Sequence, residues 1–263
     1  FHINAMYDLL EHTYENIIIQ NAIELNENGA FNNIVDNYKG EKAIYIADRG
    51  YESYNSFAHV IESNQKFLIR VKYINSKTSL TKSFNLETES DEFDLTVNKI
   101  LTLKQTKDIK KDKYNYKFVP KNQTFDYLNE SKDFYNIEFR VVRFKLNNDH
   151  YECIITNLSE EEFTVEEIKE LYNKRWGIET SFRELKYAVG LNSFHSKRRD
   201  FIKQEIFLRI LFYNFSERII RIIKPRNNKK NRKYGYQVNF TRAFHIIKAY
   251  LKKIKSGCEP PNI

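Results

Sequence analysis

Residues 164–190, TVEEIKELYNKRWGIETSFRELKYAVG, constrain the fold more than any other stretch. Thr164 and Glu167 form a capping box, Gly190 is a natural C-terminal stop, and no proline lies between them. This spacing predicts one long helix. At about 100° per residue, Leu171, Ile178, Phe182, Leu185 and Val189 share a stripe that should face the core. Tyr172, Arg175, Glu179 and Lys186 form a second stripe within roughly 60° of one another. One carboxylate is thus flanked by a phenol, a guanidinium and an ammonium along the rim of a half-buried helix. A carboxylate can hold a divalent metal, and Arg, Lys and Tyr can hold phosphate. The i,i+4 pairs Arg175/Glu179 and Glu179/Arg183 admit a plainer reading, the charge ladder of a solvated face.

A chain of 263 residues can bury a sizeable core. Its net charge of +8, from 43 basic and 35 acidic residues, favours polyanionic partners, although 30% charged residues also suit an ordinary soluble surface. Cys153 lies in an apolar strand pattern and Cys258 in a proline-containing tail, so no disulfide framework is implied and a reducing cytoplasm fits. No apolar run approaches the roughly 18–20 residues of a membrane span, and no secretory signal is present. Phe1 opens directly into a strand pattern, which reads as a cut N-terminus.

Along the chain, FHINAMYDLL and TYENIIIQ read as a hairpin turning at Glu11–His12, and residues 21–40 as a helix weakened by Asn and Gly. Ala43 to Ala47 is a short apolar strand ending at Asp48. A helix over 53–64 and a strand over 65–74 complete a βαβ unit with parallel pairing. Residues 75–150 read as a β-rich insertion expected to lie outside the core sheet. Within it, KQTKDIKKDKYNYK is a solvated loop or a contact to phosphate backbone. Residues 151–158 return to a core strand. A long helix, the basic loop 224–236 and a closing helix follow. Four parts result: 1–74, the first part of the core; 75–150, the insertion; 151–223, the rest of the core; and 224–263, the basic loop and last helix.

Tyr172, Arg175, Glu179 and Lys186 spell a Y-(2)-R-(3)-E-(6)-K signature. With YNKRWGIETSFRELK around it and LNSFHSK after it, the stretch resembles the insertion-sequence-4 type DDE transposases. Asp48, alone, is either turn chemistry before Gly50 or a carboxylate at the carboxyl end of a strand, where α/β sheets gather ligands. Its setting, DRGY after an apolar strand, resembles the family's second catalytic carboxylate, and the family also carries a β-rich insertion between that Asp and the helix Glu.

The resemblance covers most of the chain. It implies an α/β, RNase H-like core, with a mixed sheet flanked by helices, in which two Asp and one Glu bind two divalent ions, Mg²⁺ or Mn²⁺, for in-line attack on a DNA phosphodiester. Asp48 and Glu179 would be catalytic metal ligands and should converge. Tyr172, Arg175 and Lys186 would hold phosphate near the transposon end. Trp176 would stack on an unpaired base or pack at the helix edge. Implied partners are double-stranded DNA, at transposon ends and target, and a second copy in a DNA-bound homodimer. The implied setting is the nucleoid of a bacterial cytoplasm.

The family's first Asp lies on a strand ahead of the one this chain's opening resembles. The expectation is therefore an incomplete, inactive catalytic region, with Asp8 the only early carboxylate placed to substitute. Two alternatives stay open: a non-catalytic DNA-binding or dimerising remnant, and an RNase H-like nuclease or resolvase, against which the Tyr-Arg-Lys stripe argues.

Overall fold

A computed structural model describes residues 1–72, 76, 79–84, 91–147, 150–223 and 238–256. The basic loop 224–236 and Cys258 lie outside the described residues. The chain divides into two compact units, one of residues 1–4 and 20–174 and one of residues 5–19 and 175–263. The division runs through the opening hairpin, where β1 (His2–Asp8) pairs with β2 (Thr13–Gln20) in a two-stranded sheet. Asp8 Oδ1 accepts from the Leu10 and Glu11 amides at 2.7 and 2.8 Å, and His12 takes a φ of 57°. Asp8 is thereby accounted for by turn chemistry.

In the first unit, Asn26 accepts from the Gly29 amide and starts α1 (Glu27–Asn37), later than the predicted helix because the cap fixes its first turn. β3 (Ile44–Ala47), α2 (Tyr54–Glu62) and β4 (Lys66–Arg70) form the βαβ unit, with Ile44 opposite Lys66 and Ala47 opposite Ile69 in parallel register. β5 (Phe93–Thr102), α3 (Lys107–Lys111), β6 (Tyr116–Phe118), β7 (Phe134–Asn147), β8 (His150–Thr156) and α4 (Val165–Asn173) follow. The strands make one mixed sheet in the order β3-β4-β8-β7-β5-β6, with parallel pairs at both ends and antiparallel pairs between.

Helices cover both faces. Phe67, Leu68 and Ile69 of β4 are all fully buried, as a strand enclosed on both sides requires. Phe67 stacks on Phe57 of α2 with ring centroids 4.9 Å apart, while Leu68, pointing the other way, packs with Val142, Phe144 and Ile154 against Ile168 and Tyr172 of α4.

Residues 75–150 are rich in strand, but those strands are not outside the sheet. β7 runs antiparallel to β8, from Arg140 opposite Thr156 to Asn147 opposite His150, and β5 and β6 continue beyond it. The cause is burial. Val141 and Val142 are adjacent, point to opposite faces and are both fully buried, so β7 needs cover on two sides, which the helix-flanked sheet provides. Buried Arg140 is satisfied by Asp94 and by the Ser159 and Phe163 carbonyls. The basic run contains α3, capped by Thr106, and β6; Lys107, Lys110 and Lys111 are exposed.

The second unit packs the hairpin on helices. Asn214 donates to the Tyr14 carbonyl and accepts from the Tyr14 amide, both at 2.8 Å, so a side chain takes the place of a neighbouring strand. α5 (Trp176–Glu184), α6 (Arg199–Ile222) and α7 (Phe240–Lys255) complete it, with Tyr213 against Phe240 and Phe212 against Phe244, each pair 4.9 Å apart.

Candidate active site

Asp48 sits directly after β3, and the register that sets Ala47 beside Ile69 sets it alongside Arg70, the last residue of β4. Arg70 donates from Nε to Asp48 Oδ1 at 2.9 Å and from Nη1 to Glu152 Oε1 at 2.8 Å. Asp48 also accepts from the Arg49 amide, capping a 3-10 turn over Arg49–Tyr51. Its side chain stays 42% exposed, against 15% for Glu152. Burial alone would lower the Arg70 pKa, but the Glu152 hydrogen bond and the carboxylate charges of Asp48 and Glu152 outweigh it and raise the value, keeping the guanidinium charged.

Sequence reading missed Arg70 and Glu152. Arg70 was recoverable, since Asp48 and Arg70 both end strands of one parallel pair. Glu152 was not, because its place depends on the antiparallel register of β8 on β4, where Ile154 faces Arg70.

The predicted single helix is two. The capping box is present: Thr164 accepts from the Glu167 amide, and Glu167 accepts from the Thr164 amide. Gly190 ends the region with a φ of 90°. Between them the hydrogen-bond ladder breaks at Lys174–Arg175, whose backbone stays in the right-handed helical region. The Lys174 amide is shared between the Glu170 and Leu171 carbonyls, and the Ile178 amide binds the Arg175 carbonyl three residues back, so the i−4 ladder does not run on unbroken. Residues Leu185–Val189 then form a π-turn, which shifts the phase of Lys186 from the value a uniform wheel assigns. The core stripe holds best at Leu185, which is fully buried; Leu171, Ile178, Phe182 and Val189 are half-buried.

Tyr172 belongs to the first unit, 3% exposed among the apolar side chains of the sheet and α4. Arg175, Trp176, Glu179 and Lys186 belong to the second. Arg175 is 8% exposed and donates from Nη1 to Glu179 Oε1 at 2.6 Å. Its guanidinium carbon lies 5.3 Å from the centre of the Trp176 ring, a cation–π contact. Trp176 is 61% exposed, so its ring is presented to solvent and not packed at the helix edge. Glu179, with a side chain 43% exposed, and Lys186 lie at the surface. The second unit thus brings Arg175, Trp176 and Glu179 together, as the first brings Asp48, Arg70 and Glu152.

Asp48 and Glu179 supply hard carboxylate oxygens and are accessible, which fits Mg²⁺ or Mn²⁺ in donor chemistry. One oxygen of each, Asp48 Oδ1 and Glu179 Oε1, is bound by an arginine. Among the described residues, no three His, Cys, Asp or Glu side chains are clustered to hold a metal.

A mixed sheet flanked by helices, with a carboxylate at the carboxyl end of a parallel strand, is consistent with the RNase H-like α/β fold. The family model for a transposase DDE domain matches residues 1–215, and the chain belongs to that family. A search of curated proteins finds no match. Enzymes of this family carry out DNA transposition with divalent metal ions. Among the described residues, no helix is long and apolar enough to cross a membrane.

Proposed function

We propose that this chain is the catalytic region of an insertion-sequence-4 type transposase that moves DNA by cut and paste. The observation that carries it is the cluster of Arg175, Trp176 and Glu179 at the start of α5, three residues within or beside the four-residue signature. In this reading Asp48 and Glu179 ligate Mg²⁺ or Mn²⁺. A divalent ion there would activate the attacking oxygen and neutralise charge on the leaving one. The chain's own side chains do the rest. Arg175 holds the Glu179 carboxylate in place, and a guanidinium suits phosphate oxygens. Lys186 adds a mobile positive charge. The exposed Trp176 ring offers a stacking surface to a base at a frayed transposon end. Buried Tyr172 braces α4 on the sheet, and its phosphate role requires its hydroxyl to reach the sheet's outer rim. Two ligating carboxylates hold one hydrated ion loosely, so this chain alone binds DNA without nicking it.

A second reading, a non-catalytic DNA-binding or dimerising remnant, is favoured by one observation: Asp48 and Glu179 are each ion-paired with an arginine. Both readings require DNA binding. Fluorescence anisotropy of a labelled duplex tests this, with affinity expected to fall steeply as salt releases counterions less favourably. No binding at low salt, or binding insensitive to salt, contradicts both.

A further inference from the structure

α1 carries asparagine at positions where better helix formers would stabilise it, and these polar side chains have a use. Asn32 and Asp36, one turn apart on α1, line a cavity of about 520 Å³ in the first unit. Asn55 and His59, one turn apart on α2, line it too, as does Asp126 in the segment between β6 and β7. The volume is that of a small-molecule site, roughly 300–1,000 Å³. Among the described residues no lysine or arginine lines it, in a chain that holds 43 of them.

His59 ties the cavity together. Asp36 Oδ1 lies 2.8 Å from its Nδ1 and Asp126 Oδ2 2.8 Å from its Nε2. Ionised carboxylates only accept, so both bonds form together when both ring nitrogens carry protons. Asn55 donates to Asp126 Oδ2 at 2.8 Å and accepts from the Asp126 amide at 2.9 Å. The Asn55 and His59 hydrogen bonds hold the Asp126 carboxyl below the usual carboxylate range. The imidazole ring thus fixes two carboxylates a set distance apart. Among the described residues their other oxygens, Asp36 Oδ2 and Asp126 Oδ1, take no hydrogen bond, and the two side chains are 44 and 50% exposed. Asn32 is 8% exposed, and among the described residues its Oδ1 has no hydrogen-bond partner. A buried acceptor without a partner is costly, and a ligand with N–H donors relieves the cost.

We propose that this cavity binds a short aliphatic polyamine, whose ammonium groups take the open oxygens of Asp36 and Asp126 and the amide oxygen of Asn32. The open oxygens are all acceptors, so the ligand has to donate. Two carboxylates against one imidazolium leave the walls negative, which selects a cation. Each carboxylate has one oxygen already bound to His59, so neither offers the oxygen pair that a guanidinium fork matches. An ammonium is a point charge with rotatable donors and suits single oxygens. The imidazolium between the carboxylates repels a further charge at the middle, so a methylene spacer lies there and the amines lie at the ends. A divalent metal is disfavoured, because the ring keeps the two carboxylates from converging on one ion.

Polyamine binding here depends on neither DNA nor the catalytic carboxylates. The test is equilibrium dialysis of the full chain against radiolabelled putrescine at neutral pH, with n-butylamine, arginine amide and MgCl₂ as competitors. Wild type is expected to bind putrescine at one site, and each competitor to displace it only at about tenfold or more higher concentration. Asp36→Asn keeps an acceptor for His59 and removes the charge. Asn32→Leu removes the unpaired oxygen. Each is expected to weaken putrescine binding by about tenfold or more, while Glu179→Gln binds as wild type does. Without amine, Asn32→Leu should melt no lower than wild type, since it loses a buried acceptor that had no partner, so its loss of binding is not a loss of fold. If circular dichroism shows Asp36→Asn unfolded, Asn32→Leu alone decides. No retention of putrescine, retention unchanged in either folded variant, or equal loss in Glu179→Gln overturns the proposal. Displacement by arginine amide or Mg²⁺ at or below the putrescine concentration overturns the choice of an amine.

Discussion

Arg70 Nε lies 2.9 Å from Asp48 Oδ1, so the carboxylate at the carboxyl end of β3 is held by the residue that ends the neighbouring strand. The same guanidinium binds the less exposed Glu152. Replacing Arg70 with Met is expected to leave two carboxylates facing each other without their shared cation. Stability should fall by about 1–3 kcal/mol, read as a lower urea midpoint, and Arg70→Lys should recover only part of it, since one ammonium cannot match the fork. A midpoint unchanged in Arg70→Met would show that the network is dispensable.

Trp176 is the chain's single tryptophan and is 61% exposed. Its fluorescence therefore reports on one position. Binding of a duplex with an unpaired end base should quench or shift the emission, and Trp176→Ala should weaken that complex by about 1–3 kcal/mol. A fully paired duplex lacking a frayed end should lose less. Emission unchanged at saturating DNA would remove Trp176 from the interface.

Glu217, on α6, is 6% exposed, and burial followed by the nearby Glu184 charge pushes its carboxyl up from 4.5 to about 7, against the opposing effect of Arg221. The folded value is above the unfolded one. The contribution to stability is therefore fully present below about 4.5 and is lost as pH rises through about 7. Glu217→Gln keeps the shape without the charge. It should raise the melting temperature well above neutral pH, by the equivalent of roughly 2–3 kcal/mol, and change little in acid. A variant no more stable than wild type in mild alkali would contradict this.

What could be read from the sequence was mostly local. The Thr164–Glu167 box and the Gly190 stop involve groups within a few residues, and both are as expected. The βαβ unit followed from an apolar strand, an amphipathic helix and another apolar strand in succession. The break at Lys174–Arg175 escaped because both residues keep helical backbone angles and carry no breaker signal. The partner of β7 escaped because it depends on non-local burial: FRVVRF shows that a strand forms, not that β8 lies beside it. At the candidate site, Arg175 and Glu179 were picked out by their spacing, Trp176 as the neighbour of Arg175, and Asp48 by the apolar strand before it and the resemblance of DRGY. The arginines that hold both carboxylates were half legible, Arg175 as an i,i+4 pair and Arg70 only through register.

The proposal that Asp48 and Glu179 are metal ligands is tested most directly by Mn²⁺ titration followed through water proton relaxation. Wild type, Asp48→Asn and Glu179→Gln are compared, with Glu152→Gln as the control. Each of the first two substitutions keeps the side chain's shape and removes a ligand charge. Wild type is expected to bind one Mn²⁺ weakly, and either substitution to weaken it about tenfold or more, ~1.4 kcal/mol, while leaving the salt-sensitive grip on DNA intact. Mn²⁺ binding equal in all four proteins would contradict the metal-ligand reading and leave the DNA-binding remnant as the reading that stands.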